Sequence, residues 1–184
     1  MNDSVSLTPP VSARDHIEGH EDAPLTLVEY GDYQCPYCGA AHPAIKRLQK
    51  SLGKKLRFVF RNFPLTRSHP YELLAAQAAE AAALQGKFWK MHDLIFENQE
   101  QLEPGVLPAW AHQIRLDVNQ FAKAISDGKV TKRIEEDYAS GLESGVDGTP
   151  SFFINGTRHK GEDDHDSLHA ALLEAEVQAS QRKH

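Results

Sequence analysis

The sequence predicts an α/β fold in which a strand–helix–strand unit and a closing hairpin with its helix are separated by a long helical stretch. Three observations predict it. Leu25-Thr26-Leu27-Val28-Glu29-Tyr30 reads as a buried strand that runs through Cys35-Pro36-Tyr37-Cys38 into a helix over Gly39 to Leu52. Residues 66–145 then carry helical patterns rich in alanine and leucine, broken at Gly86, Pro104-Gly105, Asp117 and Gly128. Finally, Ser151-Phe152-Phe153-Ile154, Asn155-Gly156 and Thr157-Arg158-His159 spell a hairpin with a type I′ turn.

Taken in order, Met1 to Pro10 holds serine, threonine and a Pro-Pro pair and is expected to be a mobile or extended arm. The boundaries expected from these patterns are a flexible arm at 1–14, a sheet-bearing domain built from 15–65 and 146–180, and an inserted helical subdomain at 66–145. Val11 to Asp22 is expected to supply a short edge strand, and Leu25 to Tyr30 the central one. Pro43 inside the first helix removes a hydrogen bond and predicts a kink, and Gly53 ends that helix. Leu56 to Phe63 is the next strand, stopped by Pro64, and a strand–helix–strand order implies a right-handed parallel crossover. Helices are expected at Tyr71 to Gln85, Lys87 to Phe96, Val106 to Ile114, Val118 to Ser126 and Lys129 to Ser144. Asp166 to Gln178 forms the last one, with Leu168, Leu172, Leu173 and Val177 on one face. Trp89 and Trp110 suit either a core or an interface.

Composition narrows the function. The 184 residues are 40% hydrophobic and 25% charged, the balance of an ordinary globular chain. A net charge of -6 argues against nucleic acid or an anionic membrane as partner. Met1 to Arg14 has no basic stretch followed by an apolar one, so a cytoplasmic location is expected, or a periplasmic one if a leader has been removed. The two cysteines both lie in one motif, which leaves no structural disulfide.

Cys35 falls where a strand hands over to a helix N-terminus. The unpaired N–H groups and the positive end of the helix dipole there favour a thiolate, the attacking species in disulfide exchange. Cys38 lies one turn further on the same face, as a resolving thiol. Pro36 takes an early helical position where a missing N–H costs little, and Tyr37 adds a ring beside the sulfurs. A zinc half-site would need a second ligand pair, and His42 follows Cys38 by four on the same helix rather than in a second knuckle. His165 and His169, near Asp163, Asp164 and Asp166, have a spacing that can bind zinc but suits a solvated acidic helix. No metal and no organic cofactor is expected. Glu29, a carboxylate in an apolar strand six residues before Cys35, either faces solvent or is buried beneath the sulfurs. Buried, it would have a raised pKa and exchange a proton with Cys38.

With these motifs placed, the chain resembles the thioredoxin superfamily, and within it the DsbA-like branch, over roughly residues 20–180. The matching stretches are Val28 to Cys38 and Val146-Asp147-Gly148-Thr149-Pro150-Ser151-Phe152. The resemblance implies a thioredoxin-like fold with a large helical insertion. It also implies a cis proline at Pro150 against the sulfurs, Thr149 pairing with an extended substrate segment, and a buried acid at Glu29. Sequence alone leaves the Thr149–Pro150 bond open between cis and trans. DsbA oxidases carry histidine where Tyr37 stands, whereas Pro-Tyr is the glutaredoxin pair. The potential is therefore expected below the roughly -120 mV of DsbA and nearer the about -200 to -230 mV of glutaredoxins.

The resemblance thus implies a thiol–disulfide oxidoreductase with Cys35, Cys38 and Glu29 as catalytic residues and Pro36, Tyr37, Thr149 and Pro150 against the substrate. Its expected partners are disulfide-containing proteins or glutathione-type thiols and a redox partner protein or glutathione. In the cytoplasm it would act as a reductase or isomerase. The alternatives are an exported DsbA-like dithiol oxidase, or a glutathione-conjugate-binding or chaperone-like module with little turnover.

Overall fold

A computed structural model describes residues 5–181. Its central strand is β2 (Leu25–Gly31), every residue of which is buried. Such a strand must be covered on both faces and paired along both edges. It pairs in parallel with β3 (Leu56–Asn62), from Leu25 opposite Leu56 to Gly31 opposite Asn62, through the crossover helix α1 (Pro36–Leu52). On its other side it runs antiparallel to β4 (Ser151–Ile154). The edges are β1 (His16–Gly19), antiparallel to β3, and β5 (Thr157–Arg158), antiparallel to β4, which gives the order β1-β3-β2-β4-β5.

Side chains alternate across β2, and this divides the core. Leu25 and Leu27 face one side with Phe58 and Phe60 of β3, under Ile45 and Leu48 of α1. Val28 and Tyr30 face the other, with Val59, Phe63 and Phe153. By the same alternation Glu29 points toward α1 and the cysteines.

Between β3 and β4 lie α2 (Glu72–Ala83), α3 (Phe88–Glu97), α4 (Leu107–Gln113), α5 (Val118–Ser126) and α6 (Thr131–Glu143), and α7 (His165–Gln181) closes the chain. Alanines 75, 76, 78, 79, 81 and 82 are all buried, because helices pack on α2 from several sides and small side chains permit that approach. Trp110 is buried, and Trp89 is partly buried with its Nε1 donating to the carbonyl of Ile17 at 3.2 Å. Both are core residues. The hairpin turn is as expected: Asn155 and Gly156 both have positive φ, at 47° and 85°.

The N-terminal segment differs from the expected arm. Residues 1–4 lie outside the described residues, but residues 5–14 are held in place rather than free. Leu7 is buried, its N–H donates to Gly156 at 2.8 Å, and the carbonyl of Val5 accepts from Arg158 at 3.0 Å. The Thr8 backbone exchanges two hydrogen bonds with the Ser144 hydroxyl, at 2.9 and 3.0 Å. Asp15 pairs with the buried Arg61 at 2.8 Å. The segment supplies an apolar side chain to one core face and backbone groups to the edge of β5, which outweighs its polar composition.

Candidate active site

Cys35 is the N-cap of α1, in extended conformation, and Pro36 occupies the first helical position. Both sulfurs are free thiols on buried residues. The turn that presents Cys35 is built by Asp32, whose Oδ1 accepts from the N–H groups of Gln34 and Cys35 at 2.8 and 2.9 Å. Its Oδ2 accepts from Leu65 N–H at 2.9 Å and pairs with His69 Nδ1 at 2.8 Å. Gln99 Nε2 closes the same turn from the insert, donating to the carbonyls of Tyr33 and Cys35, both at 2.8 Å.

These contacts fix the electrostatics of the pair. A hydrogen bond from the Cys38 thiol, opposed by partial burial, with help from Thr149 and the N–H groups of Cys38 and Tyr37, lowers Cys35 from 9.0 to about 5. Cys35 is therefore a thiolate at neutral pH. Burial first, then its bond to Cys35 and the nearby Glu29, push Cys38 well above the ordinary thiol range. The two sulfurs divide the labour: one is ionised and attacks, and the other keeps its proton until needed.

Glu29 is 1% exposed, so the solvated alternative does not apply. Burial, then the charges of Asp163 and Cys35, raise its carboxyl from 4.5 to about 8, with a bond from Cys38 pulling the other way. Its Oε1 has no hydrogen-bond partner. Opposite the motif, the Thr149–Pro150 peptide is cis, and the Cys35 thiol lies 3.5 Å from the Thr149 carbonyl oxygen. Tyr37 is 74% exposed beside the sulfurs. Cys35, Cys38, Glu29, Pro36, Tyr37, Thr149 and Pro150 thus come together at one end of the sheet.

Four residues that hold this site were not singled out from sequence: Asp32, His69, Glu72 and Gln99. Asp32 had a local signal, since an acidic residue two and three positions before free helix N–H groups is a capping pattern. The others come from beyond β3 and carry none. Glu72 is fully buried, and burial together with the adjacent Asp32 pushes its carboxyl well above the ordinary range. The acidic C-terminal cluster is differently engaged. His165 pairs with Asp166 at 2.9 Å, Asp164 accepts from Ser167 N–H at 2.8 Å, and the His165 and His169 rings stack.

A family model described as Thioredoxin matches residues 12–174. The chain belongs to the thioredoxin family. Its fold is that of DsbA-like thiol–disulfide oxidoreductases. Oxidised BdbD from Bacillus subtilis superposes with a TM-score of 0.83 at 26% identity, over 95% of this chain and 98% of that one. A thioredoxin-like oxidoreductase from Silicibacter pomeroyi gives 0.77 at 26% identity, over 90% and 94%. Wolbachia pipientis alpha-DsbA1, at 20% identity and a TM-score of 0.81 over 95% and 96%, shares the fold.

Sequence relatives have another name. The Salinispora tropica protein named Na(+)/H(+) antiporter NhaA 3 is 44% identical over 97% of this chain, and a Herminiimonas arsenicoxydans antiporter NhaA is 42% identical over 96%. The chain spans only 27% of the length of each. The similarity is to a segment of those longer proteins. Among the described residues no helix is long and apolar enough to cross a membrane.

Proposed function

We propose that the protein exchanges disulfides with protein or small-thiol substrates, acting as a reductase or isomerase where a thiol pool such as that of the cytoplasm keeps the pair reduced. The observation that carries this reading is the asymmetric pair: a Cys35 held to about 5 at a helix N-terminus beside a Cys38 held above the ordinary thiol range. The Cys35 thiolate attacks a substrate disulfide, forms an S–S bond to one substrate sulfur and expels the other as a thiolate. Cys38 then loses its proton and attacks Cys35, which releases the second substrate thiolate and leaves the Cys35–Cys38 disulfide. Substrate has gained two electrons and the enzyme has lost two, to be restored by a dithiol partner or glutathione.

Glu29, in its ionised form, is the group that takes the Cys38 proton, and once protonated it passes that proton on. A carboxylate near pH 8 is matched to a thiol that must ionise inside the fold, whereas one at 4.5 is too weak a base. The backbone at Thr149 seats an extended substrate segment as an added strand, Pro150 flanks it, and the exposed Tyr37 ring with Pro36 covers the entering sulfur.

A second reading is a dithiol oxidase in an exported setting, favoured by the depressed Cys35 thiol, because stabilising the thiolate stabilises the reduced enzyme. The test is trapping with a disulfide peptide. Cys35→Ser should form no adduct, Cys38→Ser should accumulate the mixed disulfide on Cys35, and the reverse pattern would overturn the assignment. Glu29→Gln should slow resolution but not the first attack. Equal slowing of both steps would return Glu29 to a structural role.

A further inference from the structure

His42, on the cysteine-bearing helix four residues past Cys38, meets His92 and Asp93 of α3. One donor atom from each lies within 4.8 Å of the others, the arrangement among the described residues that has metal-ligand spacing. His42 Nε2 is 3.6 Å from Asp93 Oδ1. Tetrahedral zinc with bonds of about 2.0–2.1 Å places its donors about 3.3 Å apart, so modest closure of side chains suffices.

A second observation points to a ligand. His42 is 5% exposed, and its Nε2 has no hydrogen-bond partner. Buried polar atoms are almost always paired, and one left open inside a donor cluster asks what fills it. The other histidine is oriented as a ligand would be: His92 Nδ1 bonds the Tyr33 hydroxyl at 3.0 Å, which fixes its ring and leaves Nε2 for the cluster. Burial, then the Lys46 charge, lowers His42 to about 4, and burial lowers His92 well below the ordinary histidine range, so both rings are neutral at physiological pH. Asp93 and Lys46 are partly exposed, which gives the cluster a way in from solvent.

Lys46 is the opposing feature. Its ammonium lies 2.8 Å from Asp93 Oδ1 and 3.2 Å from Glu18 Oε2. A metal ion would have to displace it from Asp93 onto Glu18, which already holds it from the other side.

We propose that His42, His92 and Asp93 bind one divalent transition cation of the zinc type, tying α1 to α3, with Lys46 as the competing cation. The probe is Zn²⁺ alone, titrated calorimetrically into the oxidised protein, whose Cys35–Cys38 disulfide removes the thiolates from competition. Co²⁺ absorption reports the donor geometry. One ion per chain is expected, with Asp93→Asn weakening binding at least about tenfold and Lys46→Gln tightening it. A His165→Ala/His169→Ala variant should bind as the parent does. No binding by the oxidised parent, undiminished binding by Asp93→Asn, or loss in the His165/His169 variant overturns the site. Should Asp93→Asn lose its far-ultraviolet dichroism, Lys46→Gln decides alone, and affinity no tighter than the parent's refutes the proposal.

Discussion

Replacing Glu29 by glutamine should make the reduced protein gain stability relative to the parent as pH rises. The folded state holds this carboxyl at about 8, while the ordinary value is 4.5. Between those values the folded protein keeps a proton that the unfolded chain releases, so every step up in pH favours unfolding. The gap, at about 1.4 kcal/mol per pH unit, amounts to about 5 kcal/mol once both states have ionised. At pH 5 only a small part has accrued, about 1 kcal/mol, and at pH 8 most of it, about 4 kcal/mol. Glutamine has nearly the shape of the protonated acid and does not titrate. Its amide must find partners in a pocket where Oε1 already lacks one, which costs about 1–3 kcal/mol at every pH. The slope is therefore the test rather than the offset. Urea unfolding of both proteins, kept reduced, at pH 5, 6, 7 and 8 should show the stability of Glu29→Gln rising relative to the parent by about 3 kcal/mol across the range. A difference that stays flat within about 1 kcal/mol would refute the buried, protonated Glu29 and with it the proton-transfer role.

Three further outcomes are expected. Cys38→Ala removes the largest contribution to the Cys35 thiolate, so its titration midpoint, followed by thiolate absorbance, should move up from about 5 toward 9.0; an unchanged midpoint would assign the effect to the helix terminus alone. Arg61→Ala leaves Asp15 buried without its partner, and the loss should be about 3–5 kcal/mol in denaturant unfolding. A loss under about 1 kcal/mol would mean that water replaces the arginine freely. Gly31→Ala drives a Cβ into the Phe60 ring and to 3.0 Å from Glu29 Oε1, so it should cost about 1–3 kcal/mol and slow exchange by shifting the acid. Parental stability and rate would show that the strand relaxes without strain.

What the sequence disclosed and what it hid follow from how far apart the cooperating residues lie. The cysteine motif and the Asn155-Gly156 turn are local, and each element demands its residue types within a few positions. The burial of Glu29 was one of two options until the neighbours of β2 were known, because alternation fixes which face a residue takes but not what covers it. Leu7 was obscured by the prolines and polar residues around it, and its slot exists only once β5 and α6 are in place. Asp32 caps the Cys35 turn locally, but the His69 and Glu72 that hold it are 37 and 40 residues away, and Gln99 reaches back from beyond α3. The cysteines lack a second ligand pair for zinc, and His42 lies on their own helix. The groups that meet His42, His92 and Asp93, are fifty and fifty-one residues further on in another helix, where no spacing rule connects them.

The sequence comparison of Tyr37 with the DsbA histidine predicts a weakly stabilised thiolate, yet Cys35 is held to about 5 without help from the Tyr37 ring. The donors are Cys38, Thr149 and two backbone N–H groups, none of them a side chain between the cysteines. That value falls between the roughly 7 of thioredoxin and the roughly 3.5 of DsbA. Stabilising the thiolate by one pH unit is worth about 1.4 kcal/mol, or about 30 mV for a two-electron couple. Counting two units up from thioredoxin at about -270 mV gives about -210 mV, and one and a half down from DsbA at about -120 mV gives about -165 mV. The couple is thus expected between about -210 and -165 mV, at the oxidising edge of the glutaredoxin range. Equilibration with glutathione buffers and thiol trapping measures it directly. Against a cytosolic poise near -220 mV or lower such a pair is mostly reduced and serves reduction or isomerisation, whereas against a poise near -180 mV both forms coexist. A value below about -250 mV would mean that the thiolate is not stabilised as the geometry requires, and one near -120 mV would make the oxidase the better reading.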